Sequence, residues 1–145
     1  MVLAGLLLLG GCGLAPAPAP AHAAADVAFV RALIPHHQQG IGLASAVAER
    51  PEARTLAEAI IVTQQDEVVR MSGWLRDWSE PVPPSAAPAP VTGDPIRALI
   101  AHQQEAIKLA QQEQANGADP AALAFAKQVI ESRAEEVAQL RGYLG

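Results

Sequence analysis

The chain has 145 residues, a formal net charge of −5 at pH 7 and one cysteine; half of its residues are hydrophobic but only 3% are aromatic. This length allows at most one domain with attachments, because domains typically contain about 100–150 residues. The acidic balance argues against nucleic-acid binding, and one cysteine excludes an intramolecular disulfide and a four-cysteine zinc site. Ala, Leu, Val and Ile supply most of the apolar residues, which predicts a small helical core.

The first stretch of the chain has the features of a bacterial lipoprotein signal. An apolar run over residues 2–9 ends in Gly10-Gly11-Cys12, which resembles a signal whose cysteine is acylated and starts the mature chain. The run is too short to cross a bilayer. We therefore expect residues 1–12 to be a signal with Cys12 lipidated, so that the protein is extracytoplasmic and held at a membrane by its lipid. The alternative is a buried helix start with a chance cysteine.

An Ala/Pro-rich segment, residues 13–25, follows and is predicted to be an extended tether. After it, two amphipathic helices are predicted, because apolar residues recur at three- and four-residue steps. The first has Asp26 as its N-cap and runs to about Glu49, and the second runs from about Pro51 to Trp78. Since the connection between them is short, they should be antiparallel neighbours.

A proline lies inside the first predicted helix, directly before two histidines. Pro35 removes one backbone hydrogen bond, and a proline in a helix interior costs roughly 3 kcal/mol. We expect the helix to bend just before His36 and His37. Alternatively, residues 29–34 form a separate short turn and the long helix begins at Pro35. In both cases the two histidines should lie beside a disrupted turn.

The second half begins with a Pro-rich stretch, residues 79–95, that is predicted to be a non-helical linker. A third helix is predicted from Asp94-Pro95 to about Asn116, with Asp as N-cap and Pro as the first helical residue. A fourth is predicted from Asp119-Pro120 to about Leu144, with the same kind of start.

The two halves are repeats of one another. Arg31-Ala32-Leu33-Ile34-x-His36 aligns with Arg97-Ala98-Leu99-Ile100-x-His102, and Asp66-Glu67-Val68 aligns with Glu135-Glu136-Val137. Each half has one apolar face, which it can bury against the other half. We therefore predict an all-α fold, a four-helix bundle of two repeated antiparallel helical hairpins. The predicted domain covers residues 26–145, with the first hairpin at 26–78, the linker at 79–95 and the second hairpin at 96–145.

One motif resembles a known family. Leu33-Ile34-Pro35-His36-His37-Gln38-Gln39, followed by Gln64-Gln65-x-Glu67-Val68-x-x-Met71, is similar to the pattern of DUF305, a family of unknown function grouped with ferritin-like bundles. The resemblance covers residues 26–144 as two tandem copies. It implies a secreted or lipid-anchored bacterial protein, and it brings an expectation of metal handling because some members are linked to copper or silver.

Five residues are candidate metal ligands: His36, His37, Glu67, Met71 and His102. The first helical pair could bring imidazole, carboxylate and thioether together, and the third helix could add its histidine across the bundle. Imidazole suits copper, zinc, nickel and iron, and a thioether favours Cu(I). A copper-type or other transition metal is therefore the expected cofactor, bound in metal handling or stress. The second copy departs more from the family pattern, so we expect it to be scaffold.

The same histidines could instead serve the fold. A buried imidazole can bond to a backbone carbonyl, here the one freed by Pro35, or can pair with Glu67. The alternative function is therefore a non-metal structural or interaction module at the cell surface. We predict no enzyme activity, because the chain has no Glu-x-x-His motif, catalytic serine motif or nucleotide loop. Three aromatic residues are predicted to close the core at one end of the bundle: Trp74, Trp78 and Tyr143.

Overall fold

The structure is a computed structural model that describes residues 22–88 and 90–145. These residues form four helices, α1 (Ala24–Ala48), α2 (Arg54–Asp77), α3 (Pro95–Asn116) and α4 (Pro120–Gly142), and no strand. The predicted all-α bundle is confirmed, while the closer grouping with ferritin-like bundles stays a prediction. None of the described helices is long and apolar enough to cross a membrane. The predicted signal with Cys12 lies outside the described residues, as does the tether up to residue 21.

The starts of α3 and α4 follow the prediction. Asp94 accepts a hydrogen bond from the backbone N–H of Arg97 at 3.0 Å, and proline is the first helical residue of both helices. Asp119 caps α4 in the same way, because its carboxylate accepts hydrogen bonds from the backbone N–H groups of Ala121 and Ala122. Such caps satisfy donors that the helix itself leaves without partners.

The start of α1 corrects the prediction. Asp26 is not the N-cap, because α1 begins two residues earlier with Ala23 as its cap. The Asp26 carboxylate lies inside the first turn and accepts hydrogen bonds from the backbone N–H of Ala23 at 2.5 Å. It also accepts one from Ala118 and one from Asp119, both at 3.0 Å. The buried Asp26 carboxylate therefore joins the start of α1 to the turn between α3 and α4 through hydrogen bonds.

Pro35 does not divide the first helix. The helix runs without a break from Ala24 to Ala48 with Pro35 inside it, so the alternative in which the long helix begins at Pro35 is wrong. The surrounding residues explain why the proline is tolerated: Val30, Leu33 and Ile34 are almost fully buried. Tertiary packing of that apolar face outweighs the local cost of the proline.

The helices that pack together are α1 with α2, α3 with α4, and α1 with α3. The start of α1 meets the end of α3 through Asp26, and the end of α1 meets the start of α3 through an ion pair of Arg50 with Asp94 at 2.7 Å. These two contacts make α1 and α3 antiparallel. The linker between α2 and α3 lies along α1. It is held there by the Arg31–Glu80 ion pair at 2.7 Å and by the backbone N–H of Ala86, which donates to the Gln38 side chain at 2.7 Å.

The core consists of two apolar clusters at opposite ends of the bundle. The first cluster contains Phe29, Met71, Phe125 and neighbouring residues of all four helices. The second contains Val47, Leu99 and their neighbours near the opposite ends of the same helices. The middle of the bundle, between the two clusters, is polar. Its buried polar residues are His37, Gln64, Glu67, His102, Gln103 and Arg133.

The aromatic residues do not share one end of the bundle, and that prediction is wrong. Trp74 meets Trp78 at 6.3 Å and the Phe125 ring edge-on at 5.5 Å between ring centroids, beside the first apolar cluster. Tyr143 packs against the second cluster instead. The cause is the topology: α1 and α3 are antiparallel, and α2 and α4 each run back along their hairpin partner, so α2 and α4 are antiparallel as well and their C-terminal ends lie at opposite ends of the bundle.

Candidate metal site

The polar layer in the middle of the bundle is built from equivalent positions of the two repeats. The repeat alignment pairs His36 with His102, His37 with Gln103, and Gln64 with Arg133. The layer arises because each hairpin interrupts its apolar face at the same point, and the antiparallel packing of α1 on α3 brings those points together. The two copies thus form one layer, while the expectation that the second copy is scaffold stays a prediction.

His37 and Glu67 form a buried pair in this layer. The two side chains are 0% and 3% exposed, and the distance from His37 Nε2 to Glu67 Oε2 is 2.7 Å. A carboxylate only accepts, so the imidazole donates its Nε2–H. Arg133, whose side chain is 0% exposed, forms an ion pair with the same carboxylate oxygen, and its Nη2 lies 3.5 Å from His37 Nε2. The position where a cation would meet this pair is therefore taken by a guanidinium group.

The charges in this cluster follow from its contacts. Burial lowers the pKa of His37 despite its hydrogen bond to Glu67. Burial alone would raise the pKa of Glu67, but its hydrogen bonds from His37 and Arg133 and the positive charge of Arg133 together lower it. At neutral pH the cluster therefore holds a neutral imidazole, an ionised carboxylate and a guanidinium cation. Buried charges of this kind are stable only when they are paired.

The second repeat contributes a matching set of contacts. Gln103 donates to the Glu136 carboxylate, as His37 donates to Glu67. Gln64 donates to Gln103 at 3.2 Å, and Arg133 also pairs with Glu136 at 2.9 Å. The two halves of the layer are thereby joined into one continuous hydrogen-bonded network through the core.

His36 and His102 meet at the edge of this layer, between α1 and α3. Their rings are stacked, with centroids 3.6 Å apart and planes 15° from parallel. Glu105, on the next turn of α3, lies with its carboxylate oxygen 3.9 Å from His36 Nε2. One candidate ligand atom from each of these three residues lies within 4.8 Å of the others. Glu105 is exposed, so the group opens to solvent.

The hydrogen bond of His102 fixes its tautomer. Its Nε2 lies 2.8 Å from the backbone oxygen of His36, and because a carbonyl can only accept, Nε2 carries the proton. The lone pair of His102 is then on Nδ1. In metal-binding histidines the second ring nitrogen commonly donates its N–H to a carbonyl or carboxylate in this way, and this hydrogen bond orients the ring. The carbonyl used is that of His36, and not the Arg31 carbonyl that Pro35 leaves without its helical donor.

Both imidazoles are neutral at neutral pH. Burial lowers the pKa of His36 to about 3, and the repulsion that a protonated His36 would meet from His102, His37 and Arg133 acts in the same direction. Burial also lowers the pKa of His102. Neither ring nitrogen of His36 has a hydrogen-bond partner among the described residues. A neutral imidazole with a free lone pair is the form that binds metals.

The donor set fits a transition metal, with one geometric condition. Two neutral imidazoles and a carboxylate are the nitrogen and oxygen donors that zinc, nickel and divalent copper prefer. The lone pairs of an imidazole lie in the ring plane, and the planes here are nearly parallel. Both rings can therefore point at one ion only if one of them turns. His36, which has no hydrogen bond to break, is the ring free to do so.

Gly40 creates the room for His102 against α1. A Cβ atom at position 40 would lie 2.4 Å from Gln64 Oε1 and 2.9 Å from His102 Nε2. Such distances are far below van der Waals contact. The absence of a side chain at Gly40 therefore allows the imidazole to reach the backbone carbonyl of His36.

The five predicted ligands do not converge on one point. His37 and Glu67 meet in the Arg133 cluster, His36 and His102 meet at its edge, and Met71 is fully buried in the first apolar cluster. Glu105 and the structural role of Arg133 were not predicted from the sequence. Glu105 follows His102 by three residues, on the same helix face, and that spacing was a usable signal. Arg133 follows Val129 by one helical turn on an inward face, which marks a buried charge.

The sequence model of the family described as "Domain of unknown function (DUF305)" matches residues 26–94 and 93–144. The predicted resemblance and the two tandem copies are thereby confirmed. No curated protein matches the chain.

Three solved structures illustrate the structural similarity. CopM in the apo form has 29% identity and a TM-score of 0.72, over 81% of this chain and 94% of CopM. CopM in the Cu(II)-bound form has 26% identity and a TM-score of 0.70 over the same shares. A DUF305 fragment from Deinococcus radiodurans has 24% identity and a TM-score of 0.73, over 87% of this chain and 99% of the fragment; this last likeness concerns the fold alone.

Proposed function

This chain belongs to the DUF305 family, and on that premise we propose that it is an extracytoplasmic metal-handling protein that binds a transition metal of the copper type. The ligands are His36 and His102, with Glu105 as the third. The metal would be cargo held for handling or stress protection, and the protein would not be an enzyme. The ion would bind to the neutral imidazoles of the chain, which do not have to release a proton first.

The observation that supports this proposal is the convergence of three donors from two repeats. His36, His102 and Glu105 bring ligand atoms within 4.8 Å of one another, and the second nitrogen of His102 is already engaged with a carbonyl. A similar protein, CopM, has been solved in Cu(II)-bound, Cu(I)-bound and silver-bound forms. The similarity supports a copper-type metal for this chain.

The test is a calorimetric titration of the full chain with Cu(II) and Zn(II). We expect one metal equivalent that disappears when His36→Ala and His102→Ala are combined. His22→Ala is the matched control, because His22 is also a histidine with an aromatic stacking partner, Trp78, but lies outside the site. Binding that survives the double substitution would refute this ligand assignment.

We propose further that the protein is held at a membrane by a lipid on Cys12. The support is the sequence alone, a short apolar run followed by Gly10-Gly11-Cys12. Labelling with radioactive palmitate tests the proposal: wild-type protein should incorporate label and fractionate with membranes, and Cys12→Ala should do neither. Unchanged membrane retention of Cys12→Ala would contradict the anchor.

A second candidate function is a structural or interaction module without metal. The observation that favours it is the Arg133 cluster, in which His37 serves the fold through its bond to Glu67. Under this proposal His36 and His102 would likewise only join α1 to α3. It predicts that the titration above shows no binding by the wild-type chain.

A further inference from the structure

We infer that the site formed by His36, His102 and Glu105 selects divalent Cu(II) over the monovalent ions Cu(I) and Ag(I). This inference rests on the proposed function, since it names the oxidation state of the metal that the same site takes. It follows from which donor atoms reach the site and which do not.

No sulfur atom of residues 22–88 or 90–145 is part of the site. The chain has one cysteine and two methionines, and of these only Met71 lies within residues 22–145. Met71 is fully buried in the first apolar cluster, among Phe29, Val30 and Leu33. The candidate site lies between α1 and α3, whereas Met71 lies on α2. Soft thioether and thiolate ligands give protein sites their preference for Cu(I), and the described part of the chain supplies none to this site.

The donors that are present suit a divalent ion. Two neutral imidazoles and one carboxylate form a nitrogen and oxygen set, which is typical of tetragonal Cu(II) sites and, in the Irving–Williams order, binds Cu(II) more strongly than the neighbouring divalent metals. The Glu105 carboxylate adds a negative charge, and its side chain is 66% exposed. Water can therefore reach the ion from that side and fill the remaining coordination positions of Cu(II).

The neighbouring core pair does not offer an alternative site for the monovalent ions. His37 Nε2 donates to Glu67, and the Arg133 guanidinium pairs with the same carboxylate oxygen. An incoming cation would have to displace a buried arginine whose side chain is 0% exposed. Within the described residues, selection among metals therefore falls to His36, His102 and Glu105.

The experiment compares the affinities of three ions for the full chain carrying Cys12→Ser, which removes the thiol as a competing soft ligand. Cu(II) is measured by competition with a chromophoric chelator and by electron paramagnetic resonance. Cu(I) is measured anaerobically with a Cu(I)-specific chelator, and silver nitrate supplies an air-stable monovalent ion. The same measurements are made on His36→Ala/His102→Ala, on Glu105→Gln, and on His22→Ala as the control.

We expect Cu(II) to bind with at least about tenfold higher affinity than Ag(I) or Cu(I), with nitrogen couplings in its resonance spectrum that the double substitution abolishes. Glu105→Gln, which changes an exposed side chain and leaves the core intact, should weaken Cu(II) more than Ag(I). Equal or tighter binding of Ag(I) or Cu(I) at the same histidines would overturn the selectivity while leaving the proposed function standing. Failure of every ion to bind would overturn the proposed function and the selectivity with it.

Discussion

Replacing Arg133 with methionine should destabilise the bundle strongly. The side chain is fully buried and pairs with Glu67 and Glu136, whose side chains are only 3% and 13% exposed. Methionine keeps most of the volume but removes the charge, so the Glu67 carboxylate is left buried without its cation. Removing one partner of a buried ion pair typically costs about 3–5 kcal/mol. We expect a loss of that size in the free energy of unfolding at pH 7.

The loss should depend on pH, with a sign that the contacts determine. In the wild type the pKa of Glu67 is lowered. The ionised carboxylate therefore stabilises the fold at pH values above the usual carboxyl pKa, and this stabilisation is lost as the pH falls. Without Arg133, burial should raise the pKa of Glu67, and the variant then loses stability as pH rises. The difference between the two proteins should therefore grow from pH 4 to pH 7.

Urea unfolding followed by circular dichroism measures both effects. Arg141→Met is the matched control, because Arg141 lies on the same helix but is exposed. Adding Glu67→Gln to Arg133→Met should recover much of the loss, since a neutral amide can still accept from His37 and carries no unpaired charge. A loss of less than about 1 kcal/mol in the free energy of unfolding of Arg133→Met, or no recovery in the double variant, would refute the conclusion that the positive charge of Arg133 stabilises the buried Glu67.

Two further predictions concern other close contacts. Gly40→Ala should weaken Cu(II) binding by about tenfold or more and cost about 1–3 kcal/mol of stability, because its Cβ would collide with Gln64 and His102. The control is Gly73→Ala, whose Cβ would meet no atom closer than 4.0 Å and which should change neither quantity. Equal Cu(II) titrations of the two variants would contradict this prediction. Burial and the Asp26 and Asp119 carboxylates raise the pKa of Glu113 to about 8, so the folded chain keeps a proton that the unfolded chain releases, and stability is lost as pH rises towards 8. Glu113→Gln removes this titrating group, and the stability of the variant relative to wild type should increase from pH 5 to pH 8 by at most about 1.4 kcal/mol per pH unit; a constant difference would exclude the raised pKa of Glu113.

The fold was predictable from the sequence because its signals are local and repeated. Asp94-Pro95 and Asp119-Pro120 mark helix starts through their own chemistry, and the three- and four-residue steps mark the buried faces. The start of α1 was misplaced because Asp26 has the residue type of an N-cap but bonds to Ala118 and Asp119, 92 and 93 residues away. No local pattern carries that information.

Two of the three residues of the candidate site, His36 and His102, were predicted from the sequence, but Glu105 and the grouping were not. The histidine pair and Glu67 were recognised as polar positions on apolar faces, and His37 does meet Glu67 at 2.7 Å. The error was to assign Met71 to the same cluster on helical spacing alone. A step of four residues places Met71 on the same face as Glu67, yet one turn further along the bundle axis, where the first apolar cluster begins.

The division of labour between the histidines follows from the way in which the two repeats diverged. The equivalent positions His36 and His102 both remain histidine, and they meet each other at 3.6 Å between ring centroids, so their site exists only when both hairpins are present. At the next position, His37 is retained in one copy and Gln103 replaces it in the other. At the position of Gln64, the second copy has Arg133, whose positive charge occupies the space beside His37 and Glu67. Divergence at these two positions makes the core pair part of a structural ion cluster and leaves His36 and His102, at the edge of the polar layer, as the candidate donors for a metal.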